Sequence, residues 1–162
     1  MSTRVGLGFD VHPFGGDGPL VLGGVTIDGP GLAGHSDADV IAHAVADALL
    51  GAAGLPDLGT QFPADDDRYR GASSIGLLRQ VARAVSTAGY RIGNVDVAVA
   101  CEQPKLAPYT DAMVEHLMQA MGPAFAESVS VKPKRAEGLG AIGRAEGIAA
   151  WAVALISTLD QS

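Results

Sequence analysis

The chain has 162 residues, 48% of them hydrophobic, a net charge of −7 and a single cysteine. That length fits one domain with a substantial hydrophobic core; the acidic balance gives a nucleic-acid partner no electrostatic support, and a lone cysteine excludes an intramolecular disulfide or a cysteine-based zinc cluster. No apolar run is long enough to span a bilayer as a helix and the N-terminal residues lack the apolar core of a signal peptide, so a soluble, cytoplasmic protein is expected.

Residues 5–9 alternate and, with Asp10-Val11-His12, read as a strand. Residues two apart on a strand share a face, so Asp10 and His12 point the same way, on the side lined by Gly6 and Gly8. Residues 19–22 and 25–27 flank Gly23-Gly24, the pattern of a β-hairpin. A glycine-rich loop then delivers His35. Ser36 or Asp37 is a suitable N-cap for a helix over about 39–50, on which His43 and Asp47 share a face. Asp47 is there either as a partner that orients an imidazole or as a solvated charge.

Residues 57–67 are too broken for a long helix, and the aspartates at 65–67 read as a polar surface loop. A helix over 73–88 carries Ile75, Leu78, Ala82 and Val85 on one stripe. Residues 94–100 alternate as a strand with small and apolar residues on more than one face, a pattern of burial on both sides. Pro108 opens a helix to about 121, with Tyr109, Met113 and Leu117 on one face, and 129–132 is a short strand. The pattern over 144–159 predicts a last helix, with Ile148, Trp151, Ala152, Leu155 and Leu159 facing inward. Strands alternating with helices imply βαβ units. The expected fold class is α+β: one domain over 1–162, with a single sheet of βαβ units, helices packed on one side, and a small β-hairpin.

Asp10, His12 and His43 together offer a carboxylate and two imidazoles, a set that leaves a position open on a bound metal, as catalytic rather than structural sites do. The same set describes a non-haem Fe(II) oxygenase, although the chain lacks the many evenly spaced strands of a jelly roll. Glycine, with 22 residues, is about twice its usual share of ~7%, which fits both numerous turns and backbone that approaches a ligand closely.

Several stretches match one family in order: Gly8-Phe9-Asp10-Val11-His12-Pro13-Phe14, His35-Ser36-Asp37-Ala38-Asp39-Val40, His43, Asp47-Ala48-Leu49-Leu50-Gly51, Gly93-Asn94-Val95-Asp96 and Gly143-Arg144-Ala145-Glu146-Gly147. The chain resembles the 2-C-methyl-D-erythritol 2,4-cyclodiphosphate synthase family over nearly its whole length. The resemblance implies a lyase of the non-mevalonate isoprenoid pathway. Its substrate, 4-diphosphocytidyl-2-C-methyl-D-erythritol 2-phosphate, closes on itself and releases CMP. Asp10, His12 and His43 fall at the family's zinc ligands, and Glu137 falls at the ligand of a second divalent cation, Mg2+ or Mn2+. Asp10, Val11, His12, His35 and Ser36 fall where substrate binds, with His35 at a position credited with transition-state stabilisation. Asp57, Leu58 and Gly59 match the loop for the sugar and polyol hydroxyls, which Phe62, Pro63, Ala64, Asp65 and Asp66 continue. Cys101, Glu102, Gln103, Pro104, Lys105, Leu106 and Ala107 match the nucleotide loop. Lys134, Arg135, Ala136, Ala141 and Arg144 complete the implied substrate contacts. The resemblance also implies a homotrimer with active sites between subunits and an apolar central cavity that could hold an isoprenoid diphosphate, with Arg144 at its mouth.

Some positions depart from the family pattern. Lys134-Arg135-Ala136 stands where threonines are common, Phe62-Pro63-Ala64-Asp65-Asp66 replaces Phe-Pro-Asp-Thr-Asp, Ala38 and Ala145 replace glycines, and Ala141 replaces a phenylalanine. One of those threonines is credited with stabilising the transition state. Arg135 is therefore expected to act catalytically in its place, projecting with residue 137 from an extended segment and gripping phosphate oxygens. Arg144 is expected to bind an anion at the start of the last helix. A trimeric binding protein that has kept the fold and lost turnover is the non-enzymatic alternative.

Overall fold

The computed structural model describes residues 1–122 and 128–159. In chain order its elements are β1 (Thr3–Gly16), β2 (Leu20–Leu22), β3 (Val25–Ile27), β4 (Gly31–Leu32), α1 (Val40–Ala53), α2 (Leu58–Gln61), α3 (Ser74–Thr87), β5 (Tyr90–Ala100), α4 (Thr110–Met121), β6 (Ser128–Lys134), α5 (Gly140–Gly143) and β7 (Gly147–Thr158). The main sheet has five strands in the order β4-β1-β7-β5-β6, and β2 and β3 form a separate hairpin. Gly23 and Gly24 both have positive φ, as the two central residues of a type I′ hairpin turn require. The class is α+β, as expected.

The last helix and the sheet's connectivity need correction. Residues 144–159 are not a helix: Gly147–Thr158 is a central strand, antiparallel to both β1 and β5. Ile148 and Ala152 are buried, but Trp151 and Leu159 are exposed and Leu155 only half-buried. The sheet is also less regular than a set of βαβ units, because β7 inserts between β1 and β5. Among the described strands, β5 and β6 are the parallel neighbours, joined through α4.

The helices cover one face of the sheet. On α1 nearly every side chain is buried, on α3 the buried stripe is Leu77, Leu78, Val81, Ala82 and Val85, and α4 contributes Met113 and Leu117. The contact of α1 with β1 is unusually close. A Cβ on Gly8 would fall 1.9 Å from the Ala44 carbonyl oxygen, and one on Gly6 would fall 1.9 Å from that of Ala48. The space beside the two glycines is thus filled by helix backbone, and this sets the height of α1 over β1.

The start of α1 is fixed by Asp39, not by Ser36 or Asp37. Asp39 is fully buried. Its carboxylate accepts hydrogen bonds from the backbone N–H groups of Ile41 and Ala42 at 3.1 Å, Gly23 at 2.8 Å and Gly24 at 2.7 Å. One side chain therefore caps α1 and fastens the hairpin turn to it. The other face of the sheet is open and apolar: Val5, Leu7, Phe9, Val11, Trp151 and Val153 are 42–68% exposed.

Candidate active site

Strand alternation and the depth of α1 bring three donors together. Asp10 Oδ2 lies 3.2 Å from His12 Nε2 and 2.9 Å from His43 Nδ1. Among the described residues this is the group of three or more metal donors, with its ligand atoms all within 4.8 Å of one another. Ligands about 2.0–2.2 Å from a tetrahedral ion stand ~3.3 Å apart, so the donor set fits a divalent metal with a free position. Burial would raise the Asp10 carboxyl, but hydrogen bonds and charge from His12 and His43 outweigh it and hold the group well below the usual carboxylate range. The hydrogen bond to Asp10 raises His12 above its ordinary value, against the opposing effect of burial.

Each imidazole is held on its far nitrogen. His12 Nδ1 meets the Ala33 carbonyl at 2.7 Å. His43 Nε2 meets Ser74 Oγ at 2.8 Å and Ser36 Oγ at 3.1 Å. Asp47 does not orient an imidazole; its Oδ1 accepts from the Leu58 N–H at 2.8 Å and so ties α2 to α1. Val11, between Asp10 and His12, turns its side chain to the open face and is 48% exposed.

Hydrogen bonds link the loops expected to bind substrate to α1 and to one another. His35 Nε2 meets the Asp66 carbonyl at 3.1 Å, joining the 35–36 segment to the 62–66 loop. Phe62 packs edge-on against Tyr69, with ring centroids 5.2 Å apart. Asp57 caps α2 by accepting from Thr60 N–H at 2.9 Å, and Asp66 is paired with Arg68.

The loop expected to bind the nucleotide follows β5. With Pro133, Lys134 and Arg135 it lines a cleft of about 280 Å³ that includes Cys101, Glu102, Gln103, Lys105, Leu106 and Ala107. Burial pushes the Cys101 thiol up to about 11, so it is no nucleophile near neutral pH. No residue lines both this cleft and the triad.

Arg135 and Arg144 are not placed as expected. Arg135 donates from Nε to Glu102 Oε1 at 3.2 Å and pairs with it through Nη2, while Glu102 Oε2 accepts from the Ala136 N–H at 3.0 Å. β6 stops at Lys134 and Glu137 has a φ of 54°, so the extended geometry assumed for 135 and 137 does not continue. Arg144 stands at the C-terminal end of the four-residue α5, and its Nε donates to Glu146 Oε1 at 2.6 Å. The helix whose N-terminus was to bind an anion there is the strand β7. Ala141 and Glu137 are exposed on the same stretch.

Sequence reasoning missed Ser74 and Asp37. Ser74 sits 31 positions from His43, at the start of a helix whose serine pair reads only as a cap. Nothing in the local spacing links it to the donors.

A candidate three-donor metal centre, set where one helix lies low on a two-layer α+β sheet, is the plan of an enzyme domain other than a jelly-roll oxygenase. A sequence model of the YgbB family matches residues 3–157. The chain is 55% identical over 154 residues to the 2-C-methyl-D-erythritol 2,4-cyclodiphosphate synthase of Moorella thermoacetica, covering 94% of each chain. It is 52% identical to the bifunctional enzyme IspD/IspF of an Anaeromyxobacter species, of whose length it spans 40%. Among solved structures it is similar to the IspF of Plasmodium falciparum in its CDP complex, at 33% identity and a TM-score of 0.83, covering 98% of this chain and 97% of that one. The chain belongs to the YgbB family, the enzymes named 2-C-methyl-D-erythritol 2,4-cyclodiphosphate synthase.

Proposed function

We propose that the chain converts 4-diphosphocytidyl-2-C-methyl-D-erythritol 2-phosphate into 2-C-methyl-D-erythritol 2,4-cyclodiphosphate and CMP, a lyase step of non-mevalonate isoprenoid biosynthesis. The observation that carries this reading is the convergence of Asp10, His12 and His43 on one point, in a fold shared with a CDP-bound relative. An oxygen of the 2-phosphate attacks the β-phosphorus. The bond from that phosphorus to the α-phosphate oxygen breaks, and CMP leaves with the electron pair. The nucleophile is already an anion, so the protein's task is to fold a polyanion onto itself and offset its crowded charge.

Asp10, His12 and His43 would hold zinc, Glu137 would share a second divalent cation, magnesium or manganese, with the substrate's phosphates, and these ions when bound supply Lewis-acid polarisation of the phosphates. His35 and Ser36 bind beside the reacting phosphate. The 57–59 and 62–66 loops take the polyol hydroxyls, and the 101–107 loop takes the cytidine. Lys105 and Lys134 bring positive charge to the rim of the cleft. Glu102 engages two nitrogens of Arg135, so Arg135 works chiefly by holding the 134–137 turn against the nucleotide loop.

One cyclodiphosphate-synthase domain spans 1–162, of which 123–127 and 160–162 lie outside the described residues. It works as a cytoplasmic homotrimer with active sites between subunits. The apolar open sheet face, where the tilted rings of Phe9 and Trp151 lie 5.2 Å apart, supports that assembly, since exposed apolar patches of this kind mark interfaces. The faces enclose a cavity suited to an isoprenoid diphosphate. Among the described residues no helix is long and apolar enough to cross a membrane.

The test is 31P NMR of purified, metal-supplied protein with the substrate. Equal amounts of cyclic diphosphate and CMP are expected. Substrate left intact, or cleaved to a linear phosphate, would overturn the proposal.

A further inference from the structure

Two of the hydrogen bonds around the metal donors leave no freedom in where their protons sit. A carbonyl or a carboxylate oxygen can only accept. His12 Nδ1 faces the Ala33 carbonyl at 2.7 Å, so Nδ1 carries a proton and Nε2 is the nitrogen available to a metal. The arrangement at His43 is longer. Ser74 Oγ is hydrogen-bonded to Asp37 Oδ1, the Ser74 backbone N–H donates to Asp37 Oδ2 at 3.0 Å, and Ser74 is 1% exposed. A hydroxyl has one proton. That of Ser74 goes to Asp37, so Ser74 Oγ can only accept from His43 Nε2, 2.8 Å away.

We propose that Asp37 and Ser74 are positioning residues for the metal centre, forming a chain Asp37···Ser74···His43 that puts the His43 proton on Nε2 and turns a bare Nδ1 to the metal. The chain acts against a specific competitor. The other tautomer carries its proton on Nδ1, which lies 2.9 Å from Asp10 Oδ2. It would donate to that oxygen and remove two of the three ligands at once. Ser36 Oγ, which accepts from the Ala38 N–H at 3.2 Å, lies 3.1 Å from the same His43 nitrogen. The same residues pin the substrate loop. Asp37 N–H donates to the Ala72 carbonyl at 3.1 Å, and Gly71 N–H donates to that of His35 at 2.9 Å. The start of α3 thereby sets both the ring of His43 and the position of His35.

This inference rests on the reading of Asp10, His12 and His43 as metal ligands, and its test separates the two. Zinc affinity is measured on the full chain by competition with a chromogenic chelator, for the wild type, His43→Ala, Ser74→Ala, Ser74→Thr and Asp37→Asn. In parallel, long-range 1H–15N spectra of the proteins with one equivalent of zinc report which His43 nitrogen carries the proton. His43→Ala should lose tight zinc. Ser74→Ala should bind it about 10–100-fold more weakly, the usual effect of losing a partner behind a ligand. Asp37→Asn should do the same: turned one way its amide N–H meets the Ser74 N–H, and turned the other it donates to Ser74 Oγ and frees that hydroxyl to donate to His43. Ser74→Thr keeps the hydroxyl and should stay near wild type. The wild-type spectrum should show His43 protonated on Nε2, and Ser74→Ala should populate the Nδ1–H form. If His43→Ala keeps tight zinc, the ligand assignment fails. If it loses zinc while Ser74→Ala and Asp37→Asn keep both the wild-type affinity and the Nε2–H tautomer, the orienting chain alone is refuted.

Discussion

Replacing Gly8 by alanine tests whether the depth of α1 over β1 builds the metal site. The added Cβ would sit 1.9 Å from the Ala44 carbonyl oxygen and 2.7 Å from the Ala48 nitrogen, where ordinary contact begins at 3.4 Å. The obstacle is backbone, so no side chain can swing aside, and α1 must retreat by about 1.5 Å at that point. His43 immediately precedes Ala44 and moves with it. A metal–ligand distance tolerates about 0.2 Å, so His43 drops out of the ligand set. Overpacking of this kind costs about 1–3 kcal/mol of stability, and a reacting group misplaced by ~1 Å costs on the order of 10²-fold in rate. Zinc titration, urea unfolding and CMP release measure the three effects. Gly51→Ala is the control: it lies on the exposed side of the same helix with nothing within 4 Å of a built Cβ, and should raise stability by about 0.5–1 kcal/mol. Wild-type zinc affinity and turnover in folded Gly8→Ala would refute the reasoning.

Asp39→Ala leaves four backbone N–H groups without their acceptor and should cost about 3 kcal/mol or more, read from urea midpoints at unchanged m. Ala145 has a φ of 57° and is exposed; Ala145→Gly should relieve about 1 kcal/mol of left-handed strain and raise Tm by a few degrees. In the metal-free protein, the lowered Asp10 contributes stability that is complete above its unfolded value and is lost as pH falls below about 4, whereas the raised His12 contributes stability that is complete below about pH 6.5 and is lost as pH rises beyond it. Asp10→Asn should flatten both limbs of the Tm–pH curve, and an unchanged curve would contradict the coupling. Light scattering at micromolar concentration should give the mass of three chains; a monomer would count against the role of the open sheet face.

The donors were legible in the sequence because strand alternation places Asp10 and His12 on one side without further information, and because a helix over about 39–50, which the structure carries on to Ala53, is marked by its apolar run. The hairpin was legible for the same reason: paired glycines between short apolar runs admit few other structures. β7 was not. Its Ala150, Ala152 and Ala154 are buried on the helix side, and Trp151 and Val153 face the open side. A strand apolar on both faces loses its period-two signal, and alanine favours a helical reading. The misreading of β7 carried Arg144 with it. Glu102 was visible only as a member of the nucleotide loop; its grip on Arg135 and Ala136 spans more than 30 positions and depends on β5 and β6 lying side by side.

The central claim is that one metal, held by Asp10, His12 and His43, sits where the substrate's diphosphate must bend. A crystal grown with zinc and CDP, measured on both sides of the zinc absorption edge, tests it most directly. The account predicts one strong anomalous peak per chain about 2.0–2.2 Å from Asp10 Oδ2, His12 Nε2 and His43 Nδ1, with a CDP phosphate oxygen at its remaining position and the cytosine in the cleft lined by Cys101 to Ala107. CDP bound in that cleft with no anomalous density at the three donors, or zinc at the donors with the diphosphate directed elsewhere, would contradict it.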